Sequence, residues 1–505
     1  MNTTRFHGRI VAQLVVIESP RMTRTETIPS PPSADKPALS PALSFGVIAI
    51  LALVVLYAVP KPASVTIQGW RMLAIFVCTV VALMLRPIAG GAAVLIGVTI
   101  TIVAGVLPPV QALSGYGNTT VWLVLSAFFI ARAIINSGLA RRLALIFVRA
   151  VGSTSLGLGY ALAACDIVMA TVIPGNSART GGILLPVARN LGSIYQSLPG
   201  PTASLLGSYL VLTIYQGDMI ACAMYLTGQA SNPIAADLAL KGAQISMTWG
   251  RWLYAAIVPG LVSFAAIPWV VYKIAPPGIK HTPQAADMAR LELSKMGRIS
   301  FAEMKVIAVF LLVCGLWSTA SWHGIATTTV ALIGVSILLM TKSLQFSDMI
   351  REHNAWGVFV WYGGIIRMGE ALNDFGVMKA FATSVAGMFA GWHWPAMMAL
   401  IVVIYFYVHY LFASVTTHLV SLYGPFIAIL IAAGAPPALV VFSLAFYANL
   451  SASLTHYGTT PGPILFSAGY NTHGEWWKVG LIVSFVNIAI WTSVGLVWWK
   501  MIGLW

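Results

Sequence analysis

The stretch IPGNSARTGGILLP, from Ile173 to Pro186, interrupts a sequence that otherwise consists of long apolar runs. It contains two prolines, three glycines, an asparagine, two hydroxyl residues and an arginine. Non-helical backbone is tolerated at membrane depth only where protein buries it or where it lines a cavity, because lipid offers no hydrogen-bond partners. The stretch therefore indicates a functional break within a membrane-embedded segment.

The composition around this stretch is that of an integral membrane protein. Of the 505 residues, 58% are hydrophobic and 8% are charged, whereas about a quarter of the residues in a soluble domain are charged. We count about 11 to 14 apolar segments near the length that crosses a bilayer. Eight clear examples are Phe45–Pro60, Met72–Leu85, Val121–Ile135, Leu253–Tyr272, Val306–Ala320, Ile325–Met340, Met397–Phe412 and Val479–Trp499. The sequence predicts an all-α, multi-pass membrane protein.

The net charge of +14 comes largely from Lys and Arg in short loops between apolar segments. Loop Lys and Arg residues mark the cytoplasmic side of membrane proteins, so the charge indicates topology and gives no reason to expect nucleic-acid binding. We expect the bacterial inner (plasma) membrane, with the chloroplast inner envelope as the alternative. Residues 1–42 are predicted to be a disordered cytoplasmic tail, or to include a start codon placed upstream of the true start at Met22.

A polar linker, residues 273–305, separates two hydrophobic halves, residues 43–272 and 306–505. Each half contains a predicted re-entrant hairpin and then a predicted unwound helix. These four segments lie near residues 173–198, 225–236, 412–435 and 454–470. A single break is often an ordinary Pro or Gly kink, but two corresponding breaks in each half are typical of an inverted-repeat transporter with a midplane binding site.

The four broken segments carry hydrogen-bond donors and no Asp or Glu. Amides, hydroxyls and free N–H groups at helix N-termini bind anions without adding negative charge. We therefore predict an anion site. Its predicted substrate-binding residues are Asn176, Ser177, Ser414, Thr416, Thr227, Gly228, Gly458, Thr459 and Thr460.

Three cationic or ionisable side chains lie in or beside these segments, namely Arg179, His418 and His456. A dianion in a low-dielectric site needs positive charge nearby, so we predict that these residues compensate the charge of the substrate. Asp166 and Asp218 lie in apolar segments outside the breaks, and we expect them to be relay or packing residues that matter less for transport.

Five ordered segments resemble the divalent anion:sodium symporter family of di- and tricarboxylate carriers, in particular the branch with plant 2-oxoglutarate/malate translocators and bacterial citrate/succinate or tartrate/succinate antiporters. The resemblance covers the chain from about Phe45 to the C-terminus. The segments are PGNSARTGGILLPVARNLG, CAMYLTGQASNPIAADLA, WGVFVWYGGIIRMGEALNDFGV, HYLFASVTTHLVSLYGPF and SLTHYGTTPGPILFSAGY.

This resemblance implies a homodimer of 11-helix protomers with two re-entrant hairpins, a scaffold domain and a transport domain that moves as an elevator. In the family, a Ser-Asn-Thr motif at each hairpin tip contacts the substrate carboxylates and helps to form a Na⁺ site. The first motif corresponds to Gly175, Asn176 and Ser177, and the second to Ser414, Val415 and Thr416. Each motif has lost one oxygen-bearing side chain, which counts against the usual Na⁺ sites.

Ion binding, if retained, is expected at Asn176, Asn232 and Pro461, with no metal beyond Na⁺ and no other cofactor. The predicted function is di- or tricarboxylate transport (succinate, malate, 2-oxoglutarate, tartrate or citrate), by dicarboxylate exchange. A Na⁺-coupled dicarboxylate symporter is the alternative. An intramembrane enzyme would need a nucleophile–base pair or a metal cluster, and a cation or arsenite transporter would need acidic residues at the breaks.

Overall fold

A computed structural model of the protein describes residues 40–378, 380–381 and 392–505. In this part of the chain the fold is all-α, as the sequence predicts. Most of the predicted N-terminal tail, residues 1–39, lies outside the described residues. The described chain enters its first helix at Pro41, after Ser40, whose side chain accepts a hydrogen bond from the backbone of Leu43.

The first half of the chain contains thirteen described helices of four or more residues. They are α1 (Pro41–Leu53), α2 (Ile67–Leu85), α3 (Gly90–Val103), α4 (Pro109–Leu113), α5 (Thr119–Asn136), α6 (Leu139–Val151), α7 (Ser155–Ala170), α8 (Asn176–Arg179), α9 (Leu185–Ile194), α10 (Gly207–Met224), α11 (Asn232–Ala243), α12 (Trp249–Ile274) and α13 (Pro283–Met296). A π turn, Thr180–Leu184, joins α8 to α9 in one continuous helical arm.

The second half of the chain contains ten described α-helices. They are α14 (Phe301–Ser318), α15 (Ala320–His323), α16 (Thr327–Met340), α17 (Phe346–Arg351), α18 (His353–Asp374), α19 (Trp394–Tyr407), α20 (Val415–Ala432), α21 (Pro437–Leu450), α22 (Pro461–Phe466) and α23 (His473–Met501). Short 3-10 turns extend α19 to Leu411 and α21 to Leu454.

Nine of the described helices are long and apolar enough to cross a membrane, and three shorter apolar helices accompany them. They differ in how much protein surrounds them. Only 6% of the segment Pro41–Ala58 is buried, whereas 89% of Pro437–Leu454 is buried. Every residue of α10 is buried. The chain therefore has a central pair of helices, α10 and α21, that contact each other, and a lipid-facing periphery.

Contacts divide most of the helices into two groups. In the central group, α10 packs against α7, α12 and α21, and α23 packs against α12. In the flanking group, α2 packs against α1 and α3, α18 against α3 and α5, and α16 against α5 and α14. The four breaks lie in the central group, so this group carries the candidate site.

An ion-pair network connects the two groups. Lys241 on α11 lies 2.5 Å from Glu370 on α18 and 2.5 Å from Asp237 on its own helix. Arg367 and Glu370, which are three residues apart on α18, form an ion pair at 3.3 Å. Arg367 also lies 3.0 Å from Asp374. This network links the helix that follows the first unwound segment to the flanking group.

Four breaks interrupt the central helices, at residues 171–175, 225–231, 412–414 and 455–460. A new helix begins immediately after each break, with first residues Asn176, Asn232, Val415 and Pro461. Proline is tolerated in the first turn of a helix, where the backbone N–H has no helical partner. Pro233 and Pro461 occupy such positions. The breaks therefore place four helix N-termini within the central group.

Candidate functional site

The clearest contact between the two halves joins the first hairpin tip to the second unwound segment. Asn176 is 4% exposed, and its Nδ2 donates hydrogen bonds to Thr459 Oγ1 at 3.1 Å and Asp218 Oδ2 at 3.3 Å. Its Oδ1 accepts from the Thr460 hydroxyl at 3.1 Å. The Ser177 hydroxyl donates to Thr460 Oγ1 at 2.8 Å. The fold thus brings together residues that are about 280 positions apart in the chain.

We call Asn176, Ser177, Thr459 and Thr460 the tip cluster. Thr460 is exposed and Ser177 is half-buried, whereas Asn176 and Thr459 are buried. The hydroxyls of Ser177 and Thr460 are accessible and can exchange their present hydrogen bonds for bonds to a ligand. The buried Asn176 side chain holds the two segments together. All four residues are among the predicted substrate-binding residues.

Ser414 and Thr416, the predicted counterparts on the second hairpin, lie outside this cluster. Ser414 is the N-cap of α20, and its Oγ accepts from the backbone of Thr417 at 3.5 Å. Thr416 is half-buried, and its side chain makes no hydrogen bond within the described part of the chain. Ser414 is the last residue of the break at residues 412–414, and Thr416 lies in the first turn of the helix that follows. The hydroxyl oxygens of both side chains are still available to a ligand.

Arg179 differs most from its predicted role. The side chain is fully buried, and all five of its N–H groups have acceptors. Nε donates to Asp166 at 2.8 Å and Nη2 donates to Asp218 at 2.6 Å. Nη1 donates to the carbonyls of Ile173 at 2.5 Å and Gly228 at 2.8 Å, and Nη2 also contacts a cysteine sulfur.

Arg179 therefore has no N–H group left for a substrate, and two carboxylates of the protein, Asp166 and Asp218, already face its single positive charge. This corrects the prediction that Arg179 compensates the charge of a bound dianion. It also corrects the expectation of an acid-free site, since Asp218 lies within hydrogen-bond distance of Asn176. We call Asp166, Arg179 and Asp218 the buried triad. It ties the first hairpin to α7 and α10 and braces the first unwound segment.

The first unwound segment is held by bonds that use up its predicted ligand atoms. The Thr227 hydroxyl donates to the carbonyl of Thr171 at 2.5 Å and accepts from Trp249 Nε1 at 3.0 Å. The Gly228 carbonyl accepts from Arg179 Nη1. Thr227 and Gly228 thus brace the break, which differs from the predicted contact with substrate.

Asn232 is likewise fully engaged. Its Nδ2 donates to the carbonyls of Cys222 at 2.7 Å and Tyr225 at 2.8 Å. Its Oδ1 accepts from Nδ2 of Asn449 on α21 at 2.8 Å. This oxygen already accepts one hydrogen bond, so Asn232 has less capacity left for Na⁺, and its ion-binding role stays a prediction. Pro461 begins α22 and contributes its ring to the helix start.

Two histidines brace the second unwound segment. His409 Nε2 lies 2.9 Å from the carbonyl of Gly458, and His409 Nδ1 lies 3.0 Å from His418 Nδ1. A carbonyl can only accept, so His409 Nε2 carries a hydrogen. With His409 neutral, its Nδ1 accepts the Nδ1 hydrogen of His418. We assign these tautomers from the hydrogen-bond geometry. Both bonds can form with two neutral rings, so these contacts give His418 a bracing role, and its charge-compensating role stays a prediction.

His456 lies in the same break as Thr459 and Thr460, but its side chain contacts aromatic and histidine rings. Its Nδ1 accepts from Trp477 Nε1 at 3.3 Å, and its ring lies 4.8 Å from the ring of His473. Indole N–H is only a donor, so His456 Nδ1 carries no hydrogen in this arrangement. This hydrogen bond favours a neutral ring, and the charge-compensating role of His456 stays a prediction.

Corresponding carbonyls in the two halves are thus capped by protein donors. Gly228 lies in the break at residues 225–231, and its carbonyl oxygen accepts from Arg179. Gly458 lies in the break at residues 455–460, and its carbonyl oxygen accepts from His409. Free carbonyl oxygens at unwound helices are the usual ligands of coupling Na⁺ ions. Each of these carbonyl oxygens already accepts a hydrogen bond from a protein donor, so part of its capacity to coordinate a Na⁺ ion is used.

What remains for an anion is neutral donors and helix N-termini. The first turns of α8, α11, α20 and α22 contain no acidic residue. The partial positive charge at a helix N-terminus favours anions without creating a net buried charge. The groups that remain for an anion carry no net charge. The empty site therefore holds no unpaired cation from these groups when the ligand leaves.

Four functional residues were missed or undervalued in the sequence: Asp166, Asp218, His409 and Asn449. Each is fully buried. An ionisable residue within an apolar helix is itself a signal of function, and that signal applied to both aspartates. For His409 and Asn449, no local motif distinguishes a brace from an ordinary polar residue, because their partners lie 49 and 217 positions away.

Comparison with known proteins shows the family to which the chain belongs. Residues 43–505 match the family described as the sodium:sulfate symporter transmembrane region. The chain is 39% identical over 452 residues to the proposed malate transporter YflS of Bacillus subtilis, covering 89% of this chain and 95% of that protein. It is 37% identical over 500 residues to dicarboxylate transporter 1 (chloroplastic) of Arabidopsis thaliana, covering 97% of this chain and 89% of that protein.

A solved structure agrees in fold. The crystal structure of the Alcanivorax borkumensis YdaH transporter superposes with a TM-score of 0.51 and 14% identity, covering 87% of this chain and 99% of that one. The sequence match extends over both halves and all four breaks. The chain is a multi-pass integral membrane transporter, and it belongs to the sodium:sulfate symporter family.

Proposed function

We propose that the protein is a secondary active transporter of di- and tricarboxylates, the class that includes succinate, malate, 2-oxoglutarate, tartrate and citrate. Relatives named for malate and dicarboxylate transport support this substrate class. The donor-rich tip cluster supports it independently, because amide N–H and hydroxyl O–H groups can donate hydrogen bonds to carboxylate oxygens.

In this proposal the tip cluster binds one carboxylate. The Ser177 hydroxyl releases Thr460 Oγ1, the Thr460 hydroxyl releases Asn176 Oδ1, and both donate to the carboxylate oxygens. The bond from Asn176 Nδ2 to Thr459 keeps the hairpin tip against the second unwound segment. Ser414 and Thr416 bind the other carboxylate from the second hairpin. The N-termini of α8, α20 and α22 stabilise the dianion.

We further propose that transport occurs by exchange of one dicarboxylate for another, without Na⁺. The observation that carries this step is the capping of Gly228 by Arg179 and of Gly458 by His409. In this proposal, fixed protein donors replace the coupling Na⁺ ions at these two carbonyls, and a Na⁺ gradient does not drive net uptake. A counter-substrate then completes the cycle. Na⁺-coupled symport, the mode in the family description, is the alternative.

The proposed assembly is a homodimer with one site per protomer, and the proposed motion carries the central group across the membrane relative to the flanking group. The grouping of the helices by their mutual contacts supports such a motion. Mass measurement in nanodiscs tests the dimer.

A counterflow screen tests the substrate class. Purified protein is reconstituted in liposomes preloaded with one unlabelled acid each, and uptake of labelled succinate is followed. We expect preloaded dicarboxylates to accelerate uptake, with sulfate, monocarboxylates and amino acids inactive. Acceleration by sulfate alone would contradict the proposed substrate class and would favour an inorganic anion.

A further inference from the structure

A cavity of about 940 Å³ lies between α1, α2 and α3, and none of the break residues lines it. Trp70 Nε1 donates to the carbonyl of Val55 at 2.9 Å, and the Cys78 sulfur lies 3.6 Å from the carbonyl of Ile48. These bonds fix the two helices in antiparallel register. We call this cavity the flanking groove.

The lining of the flanking groove changes along its length. Phe45 on α1 and Ala82 on α2 lie at one end, and Lys61 and Arg71 lie at the other. From residue 45 to residue 59 the groove runs for about 20 Å at the rise of an α-helix. That length exceeds half of the roughly 30 Å hydrocarbon thickness of a bilayer. The groove is therefore long enough for an acyl chain and is apolar along most of this length.

The basic end of the groove carries charge that nearby residues do not neutralise. Lys61 Nζ donates to the carbonyls of Val65 at 2.6 Å and Pro62 at 3.2 Å, while its charge stays exposed. Arg71 is exposed and has no hydrogen bond or ion pair within the described residues. The sequence contains no Asp or Glu between residues 40 and 165. Two uncompensated cations thus lie at the end of an apolar groove.

We propose that the flanking groove is a binding site for a phospholipid with an anionic headgroup. One acyl chain lies between α1, α2 and α3, and the headgroup phosphate accepts hydrogen bonds from Arg71 and Lys61. Access is from the bilayer, because α1 is the least buried of the candidate membrane spans in the described chain. The cations select an anionic headgroup over a zwitterionic one, whose own ammonium group repels them.

Native mass spectrometry of the full-length protein tests this site. The protein is exchanged from mixed micelles with equal amounts of dioleoyl phosphatidylglycerol and dioleoyl phosphatidylcholine, and the retained lipids are counted. We expect preferential retention of phosphatidylglycerol. The double variant Lys61→Gln/Arg71→Gln should reduce that preference roughly twentyfold, since each basic residue near a lipid surface contributes about a fivefold factor. Arg149→Gln, an exposed basic residue on α6, is the matched control and should change nothing.

A second variant tests the apolar part of the groove. Ala52→Phe places a ring in the cavity and should lower retention of both lipids, with an unchanged thermal unfolding midpoint of the protein. Equal retention of the two lipids by the wild type, or an unchanged preference in the double variant, would overturn the proposal. So would loss of the dimer in Ala52→Phe with lipid retention unchanged, because a second protein copy would then be the occupant.

Discussion

Arg179 Nη2 lies 2.6 Å from Asp218 Oδ1, and this ion pair joins the first hairpin to the central helix α10. Both side chains are fully buried, as is Asp166 on the other side of the guanidinium. One cation therefore faces two carboxylates in a place from which water is excluded. The arrangement explains why an arginine can follow a hairpin tip at membrane depth, and it accounts for the charge of that arginine without a substrate.

The buried triad predicts an unusual pattern of stability. Arg179→Gln leaves two buried carboxylates without a cation, and breaking a buried pair costs about 3–5 kcal/mol. We expect a large fall in the thermal unfolding midpoint in detergent. The triple variant Arg179→Gln/Asp166→Asn/Asp218→Asn contains no charge in the triad and should recover most of the loss. Arg290→Gln/Asp287→Asn, an exposed ion pair on α13, is the control. A triple variant less stable than Arg179→Gln would contradict this charge balance.

The tip cluster predicts which substitutions weaken substrate binding. Thr460→Ala removes a hydroxyl that donates to the substrate, and a lost hydrogen bond to a charged ligand costs about 1.5–3 kcal/mol. Asn176→Ala removes the buried amide that holds this hydroxyl and the hairpin tip in position. Exchange should fall at least about tenfold, mainly through a higher KM for succinate. Thr416→Ala should act in the same direction. Thr99→Ala is the control, because its exposed hydroxyl bonds only to Leu95 one turn earlier. Normal KM values in both Asn176→Ala and Thr460→Ala would exclude this cluster as the site.

The paired histidines predict the pH dependence of exchange. The sequence alone suggested a protonated His418, whose loss of charge would weaken exchange as pH rises. Because His409 and His418 satisfy each other as neutral rings, raising the pH removes no charge from the pair. Exchange of 2-oxoglutarate should therefore not decline between about pH 5.5 and about pH 8, the range in which an ordinary imidazolium loses its proton. A decline over this range that disappears in His418→Asn would restore the charged role.

The ion pair between Lys241 and Glu370 predicts an effect on turnover. It links the central and flanking groups, whose relative movement is part of the proposed mechanism. Glu370→Gln weakens this link and should change the maximum exchange rate several-fold with little change in KM. Glu292→Gln, which breaks pairs to Arg141 and Lys295 outside this interface, is the control. The charge-reversed double variant Lys241→Glu/Glu370→Lys should return the rate toward the wild-type value. An unchanged rate in Glu370→Gln would show that the pair does not bear on movement.

The positions of the breaks were predictable from the sequence for a physical reason. In lipid, Pro, Gly and small polar residues inside an apolar run mark places where the helix cannot continue, as at Ile173–Pro186. The tip residues Asn176 and Ser177 were predictable for the same reason, since unpaired donors at such a break need a ligand or a protein partner.

The partners of those residues were not predictable. Asn176 meets Thr459 only because the two halves pack together, and it meets Asp218 because the first hairpin packs against α10; no spacing in the sequence encodes either contact. The charge balance of Arg179 depends on two aspartates from different helices. The neutrality of the histidine pair depends on which nitrogen faces the Gly458 carbonyl. Charge assignments made from sequence failed where they required knowledge of tertiary neighbours.

The central claim is exchange without Na⁺, and one measurement tests it most directly. Labelled succinate uptake is followed in liposomes with and without internal dicarboxylate, each with Na⁺ or with K⁺ or choline outside. We predict uptake only into liposomes that contain a dicarboxylate, at the same rate with any of the three cations. Net uptake into empty liposomes driven by an inward Na⁺ gradient would contradict the account and assign the protein to the Na⁺-coupled symporters.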